Sequence, residues 1–316
     1  MSVKPRPKVV VAGAGAVGCY FGGLLARGGT TVTLVARPEH VTAIRNDGLR
    51  LQTLTFDERV PVSASSDIAV AAEADIVLLT VKTLDTESTA VDLAAHMRPG
   101  TIVVSLQNGV DNVERIRNAA AIDAVAGVIY VAVAMSGPGS VRHSGRGDVV
   151  VGNLPGQDRD LSTVVRLFEE SDIPCALSDN ILGEQWRKLI INCAYNAISA
   201  LTRSRYGPIV ADDALRGTLV EAVDEAVDVA ERAGVDLGDM DLVDAALDLG
   251  RSSMPDATSS TEQDLARGRR TEIASLNGYV ATCGAALGVA TPVNSALAAL
   301  VRRLEGTVVG SRGGRY

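Results

Sequence analysis

The stretch Lys8-Val-Val-Val-Ala-Gly-Ala-Gly-Ala-Val-Gly18 constrains the fold of this chain more than any other. An apolar run runs straight into Gly13, Gly15 and Gly18, and the helix-like "CYFGGLLARGG" follows at once. In a strand–turn–helix context this spacing builds a dinucleotide cradle. The first glycine permits the tight turn, the second lets a pyrophosphate approach the backbone, and the third lets helix and strand pack closely. Backbone N–H groups of Ala14, Ala16 and Val17 join those of the glycines at a helix start, where an anion is favoured. The purely structural alternative, a glycine-rich turn, does not account for the strand before it and the helix after it.

The rest of the chain extends that unit. To about residue 178, short β-branched runs alternate with helical stretches: "TVTLVAR", "ADIVLLTVK", "TIVVSLQNG", "DAVAGVIYVAVA" and "GDVVVGN". Short, fully apolar runs separated by helices predict parallel strands covered on both faces, a doubly wound α/β sheet. Beyond about residue 180 strand-like runs disappear. "LRGTLVEAVDEAVDVAERAG", "MDLVDAALDLG" and "TPVNSALAALVRRLEG" carry helical periodicity, the last with Thr291 as its cap and Pro292 at the first helical position. The expected class is therefore α/β: a Rossmann-type domain over residues 1–178, then an all-helical domain over 179–316, with a disordered tail from about 308 to 316. Pro174 and the polar "SDN" mark the boundary.

Composition narrows the partners. A net charge of −8 argues against nucleic acid and anionic membrane. No apolar run reaches membrane-spanning length, and no signal segment precedes the first strand. Cys19, Cys175, Cys193 and Cys283 show no paired spacing. They read as free thiols in a reducing cytoplasm and not as a metal site or disulfides. His96 and His143 have no partner pattern for a metal; His143 falls in "GSVRHSGRG", read as a hairpin. The helical half could form a homodimer, although it has no uninterrupted heptad seam.

The second strand selects the cofactor. An NAD site places an acid at its end to hold the ribose 2′-hydroxyl. Here the strand ends in Arg37, with no acid before Glu39. A guanidinium pairs with a 2′-phosphate through two hydrogen bonds, so NADPH/NADP+ is expected. His40 is expected to be exposed. Lys82 and Asn108 end the next two strands, on the edge where ligands of such sheets bind.

In "EQWRKLIINCAYNAIS", Lys188, Asn192 and Asn196 recur every four residues inside an apolar helix. Each step of four turns the helix about 400°, so the three form one slightly slanted stripe about 12 Å long. A water-facing stripe conflicts with its apolar neighbours, and asparagine is a poor residue inside a helix. A buried network would need every amide satisfied. A stripe facing a cleft explains all three: a lysine to transfer a proton, and amides to hold a polar substrate.

The glycine turn, Arg37, "TVK", "QNGV", "WRKLIINCAYNAISAL" and "SSTEQDLARGRRTEIASLNGYV" together resemble the ketopantoate reductases (2-dehydropantoate 2-reductases), almost end to end. The resemblance implies NADPH-dependent reduction of a 2-oxo acid, with 2-dehydropantoate leading to pantoate in pantothenate and coenzyme A biosynthesis. It implies that Lys188 donates the proton, that Asn192, Asn196 and Ser260 hold the substrate, and that Asn108 lies between nicotinamide and substrate. Arg37 and Lys82 would contact the adenosine end. Glu272 would face the nicotinamide ribose or the substrate, and Ala134 would contact the cofactor through its backbone. Either Ser259 or Ser260 can also cap the helix that "SSTEQ" opens, with Glu262 or Gln263 completing a capping box. Two positions depart from the family pattern, Ala257 where asparagine is common and Tyr206 where a smaller polar residue is usual. They leave the identity of the acid open. A hinge near residue 178 would close the two domains on the substrate. The alternatives are another 2-oxo acid, a β-hydroxyacid dehydrogenase and a non-catalytic NADP(H)-binding regulator. The second is disfavoured because only Gly183 precedes Lys188 where those enzymes carry a glycine-rich helix start. The third is disfavoured by the complete proton-transfer set.

Overall fold

The computed structural model describes residues 6–310 and divides into two compact units, Met1–Ile181 and Leu182–Tyr316. In the first unit the elements run β1 (Val9–Ala12), α1 (Ala16–Arg27), β2 (Val32–Val35), α2 (Pro38–Asp47), β3 (Leu49–Gln52), β4 (Asp57–Val60), β5 (Ser63–Ser65) and β6 (Ile76–Leu79). They continue with α3 (Thr86–Ala94), β7 (Ile102–Ser105), α4 (Asn112–Ala120), β8 (Val125–Gly137), β9 (Ser140–Gly152), α5 (Ser162–Glu169) and β10 (Cys175–Ser178). Among the described residues these strands form one sheet in the order β4-β3-β9-β8-β7-β6-β1-β2-β5, with β10 added to β9.

Successive side chains of a strand point to opposite faces, and here both faces are covered. Val9 and Val11 of β1, with Ile76 and Leu78 of β6, join a core containing Phe21, Leu25 and Phe168. Val10, Ala12, Val77 and Leu79 join the opposite core, with Leu93, Val113 and Ile116. That is why "VVVA" and "IVLL" are apolar without alternation. The strand β1 is parallel to both β2 and β6, although the chain visits β2 first, so strand order reverses beside β1. A crevice at the carboxyl ends of β1 and β6 follows from that reversal.

The sheet departs from an all-parallel reading at its far side. The strands β8 and β9 form a long antiparallel hairpin with register shifts after Tyr130, Ala132 and Met135. Its turn lies at Pro138-Gly139, so His143 sits within β9 and not at the turn. The β3–β4 hairpin escaped the sequence pattern because neither strand is a continuous apolar run: β3 alternates with charged and polar residues, and β4 is largely exposed. Polar pairing supports it: Arg50 donates to both carboxylate oxygens of Asp57 at 2.9 and 2.8 Å, and this holds the Asp57 carboxyl down at about 2. Among the described residues no strand follows Ser178.

The helical elements are α6 (Ile181–Thr202), α7 (Tyr206–Ala211), α8 (Asp213–Arg232), α9 (Leu242–Asp248), α10 (Ser260–Ala266), α11 (Asn277–Leu287) and α12 (Pro292–Gly310). A π-helical turn, Leu249–Ser253, extends α9. The helix α12 reaches Gly310 and so corrects the expected disorder of 308–310; residues 311–316 lie outside the described residues. Pro292 opens α12 as expected, but the cap comes from elsewhere. Glu225 of α8 accepts the N–H groups of Val293 and Asn294 at 2.7 and 2.9 Å, a carboxylate against a helix N-terminus. The fully buried Asn294 donates to Glu225 and to the Ala222 carbonyl and accepts from Asn277, which also donates to the Cys193 carbonyl. These two asparagines tie α6, α8, α11 and α12 together.

Candidate active site

The glycine turn has the division of labour that its spacing predicts. Gly13 has φ +100°, and a Cβ there would stand 2.5 Å from the Val81 nitrogen. A Cβ on Gly18 would meet the Gly13 carbonyl and Thr80 Oγ1, both at 2.6 Å. A Cβ on Gly15 would have only the Gly13 carbonyl near it, at 4.0 Å. Gly15 is exposed, and its open side is the room a pyrophosphate needs. It is also the N-cap of α1, with no side-chain cap and no acid in the first turn. The first N–H groups of that helix, from Ala16, Val17 and Gly18, therefore lack the intrahelical partners that later residues have. The turn is pinned from three sides. Ala14 donates its N–H to the Val35 carbonyl at 2.8 Å, Thr80 donates its hydroxyl to the Gly13 carbonyl at 2.8 Å, and the buried Cys19 thiol donates to the Ala14 carbonyl at 3.2 Å. The residues fit a dinucleotide phosphate.

Arg37 follows β2 as the N-cap of α2. Its side chain is exposed and makes no hydrogen bond or ion pair among the described residues, so the guanidinium is available to a phosphate. His40 is half-buried, not exposed: its Nδ1 accepts the Gly139 N–H at the hairpin tip, which leaves that nitrogen unprotonated. Lys82 and Asn108 are half-buried in the loops after β6 and β7. A hydrogen-bonded chain joins those loops: Ser105 donates to Gln107, Gln107 to Thr86 and to the Val81 carbonyl, Thr86 to Asn112, and Asn112 to the Asn108 carbonyl. Thr80, Thr86, Gln107 and Asn112 escaped the sequence reading, since single polar residues near strand ends carry no pattern of their own. Gly13, Ala14, Gly15, Arg37, Lys82 and Asn108 thus lie in the loops that follow β1, β2, β6 and β7, and Ala16, Val17 and Gly18 form the first turn of α1. Ala134 does neither; it sits in the β8 ladder opposite Arg142, eight residues along the strand from Ala126.

In the helical unit, α6 carries Lys188 and Asn192 half-buried and Asn196 only 3% exposed. The stripe is not an open water-facing surface, and its asparagine amides belong to no structural network among the described residues. Among the described residues the side-chain amides of Asn192 and Asn196 make no hydrogen bond, whereas those of Asn277 and Asn294 are engaged. Arg187 turns away from the stripe, bonded to the Leu237 carbonyl and paired with Glu184. The segment before α10 packs on the C-terminal half of α6. Ser259 donates to the Asn196 carbonyl at 3.2 Å and receives the Glu262 N–H at 3.0 Å. Ser259 is therefore the cap, and Ser260 is left at the first helical position with an exposed hydroxyl. Glu272 is half-buried at the N-cap of the short 3-10 turn Ile273–Ser275, with no side-chain bond to that turn.

The two departures from the family pattern are neighbours: Tyr206 donates its N–H to the Ala257 carbonyl at 3.0 Å. The Tyr206 ring stacks on Tyr195, centroids 4.1 Å apart, and Tyr195 lies on the same face of α6 as Lys188, seven residues on. Burial pushes the Tyr206 phenol up to about 12, and its hydroxyl has no hydrogen-bond partner among the described residues. A Cβ on Gly250, in the π-helical turn, would stand 2.5 Å from the Tyr195 hydroxyl, so only glycine lets this aromatic pair close up.

Comparison with known proteins places relatives over both units. A family model described as ketopantoate reductase PanE/ApbA matches residues 9–156, and its C-terminal counterpart matches residues 180–305. The 2-dehydropantoate 2-reductase of Pyrococcus horikoshii is 33% identical over 308 residues, covering 96% of this chain and 100% of its own length. That of Halobacterium salinarum is 35% identical over 299 residues, covering 93% and 98%. A PanE/ApbA family ketopantoate reductase from Ralstonia eutropha JMP134 has a similar structure, with a TM-score of 0.90 at 45% identity, covering 95% of this chain and 99% of that one. D-mandelate dehydrogenase, solved with NADH and anilino(oxo)acetate, gives a TM-score of 0.89 at 25% identity with the same coverage.

Proposed function

Since the chain belongs to the ketopantoate reductase family and is an oxidoreductase acting on a CH–OH group, we propose that it reduces a small 2-oxo acid with NADPH. The leading substrate is 2-dehydropantoate, which gives pantoate for pantothenate and coenzyme A synthesis in the cytoplasm. The observation that carries this is the α6 stripe, a lysine followed on the same face by two asparagines whose amides are uncommitted. NADPH, when bound, supplies the hydride for the carbonyl carbon. Lys188 gives its proton to the carbonyl oxygen as charge builds there, and its ammonium stabilises that charge beforehand. Asn192 and Asn196 hold the polar groups of the acid. Ser260, released from capping, offers its hydroxyl beside Asn196 to the same acid. Glu272 would face the nicotinamide ribose or the substrate, and Asn108 would lie between nicotinamide and substrate. The glycine turn holds the pyrophosphate on the N-terminus of α1, Arg37 pairs with the 2′-phosphate, Lys82 contacts the adenosine end and Ala134 offers a backbone contact.

A panel of 2-oxo acids, assayed by NADPH oxidation, tests this. We expect turnover of 2-dehydropantoate, and a kcat lowered by roughly 10²–10⁴ in Lys188→Ala with NADPH affinity unchanged. Near-normal turnover in that variant would remove Lys188 as the acid. Failure with every acid despite tight NADPH binding would favour a regulator. A second reading, an aryl-substituted 2-oxo acid, is favoured by the Tyr206–Tyr195 stack, by the small Ala257 and by the likeness to D-mandelate dehydrogenase. Phenylglyoxylate belongs in the panel for that reason.

A further inference from the structure

The hydrogen-bonded chain between the loops after β6 and β7 runs in one direction. Ser105 Oγ donates to Gln107 Oε1 at 3.0 Å, Gln107 Nε2 to Thr86 Oγ1 at 2.7 Å, and Thr86 Oγ1 to Asn112 Oδ1 at 3.2 Å. Asn112 Nδ2 then donates to the Asn108 carbonyl at 2.7 Å. Ser105, Thr86, Gln107 and Asn112 are all buried, so water cannot replace a missing member at little cost. Thr83 adds a weaker donor to the Asn108 carbonyl at 3.4 Å. Directly after Asn108 the chain turns at Gly109, with φ +96°. The Asn108 peptide is therefore gripped on its carbonyl and followed by a fixed left-handed residue.

We propose that Asn112 is a positioning residue. Its amide fixes the Asn108 peptide to the start of α3, and thereby aims the Asn108 side chain and registers it against the Lys82 loop. This rests on the function proposed above, in which Asn108 works beside the reacting carbon. Asn112 itself touches neither cofactor nor acid.

The test is a double-mutant cycle on kcat. Asn112→Leu removes the amide at similar size, and Asn112→Asp keeps the shape but cannot donate to the Asn108 carbonyl. Either variant should still fold, because Arg115 independently clamps α3 to α4 through Glu87 at 2.8 Å and Asp111 at 2.6 Å. A thermal melt confirms this before kinetics are read. Each variant is expected to lower kcat at least tenfold in the native background, yet less than twofold when Asn108 is already alanine. A positioning residue has nothing left to position there, whereas a general loosening of the fold costs the same in both backgrounds. Equal fractional losses in the two backgrounds would overturn the proposal, as would native kcat in both Asn112 variants. Native kcat in Asn108→Ala alone would instead strike the function assigned to Asn108, and this inference would fall with it.

Discussion

Gly15 and Gly18 lie three residues apart, and an added methyl group acts differently at each. At Gly15 it would enter open space. Gly15→Ala should fold normally, with an unchanged melting temperature, but bind NADPH at least tenfold more weakly, because the methyl occupies the pyrophosphate's approach. At Gly18 it would strike a backbone carbonyl and the Thr80 hydroxyl, so Gly18→Ala should lose both stability and binding. Titration of NADPH fluorescence, set beside a melt, separates the two; equal losses at both positions would contradict the assigned roles. Arg37 is a second discriminating residue. Its guanidinium is uncommitted, so Arg37→Ala should raise the KM for NADPH tenfold or more and leave that for NADH nearly unchanged. A parallel rise for both would show that Arg37 does not read the 2′-phosphate.

Helix α12 shows what an element requires from outside itself. Its own sequence supplies Pro292 but no side-chain cap, and Glu225 from another helix accepts its first N–H groups. Glu225→Ala should destabilise the protein by about 2 kcal/mol, since charge-assisted bonds at a helix N-terminus are lost while Asn294 stays buried. Urea denaturation measures this; an effect below about 0.5 kcal/mol, the scatter of ordinary surface substitutions, would refute the cap. The capping serines obey the same logic. Ser259 carries the cap of α10 and a bond to α6, so Ser259→Ala should lower stability, and Ser260→Ala should change the KM for the acid but not stability.

For the whole molecule, burial sets the response to alkali. It pushes the thiols of Cys19 and Cys175 up to about 12, and raises that of Cys193, from an ordinary value of 9.0. Between those values the folded chain keeps protons that the unfolded chain has released. The contribution is fully present below pH 9 and is lost as pH rises toward 12. With reductant present, the urea midpoint should fall steadily above pH 9; a midpoint constant to pH 11 would show that these thiols are less buried than described.

Local sequence was enough for the strand–turn–helix cradle, the six apolar strand runs, the helical second half and the α6 stripe. Each is written in local periodicity or in a fixed spacing, which one stretch of chain can express. Tertiary structure alone decided that β9 runs antiparallel to β8, that β3 and β4 pair, and that Glu225 caps α12. It alone decided that Ser259, and not Ser260, closes α10, and that Gln107, Thr86 and Asn112 grip Asn108. Those outcomes depend on which partner, distant in sequence, a polar group meets when water is excluded. Pairing of that kind leaves no period in the chain.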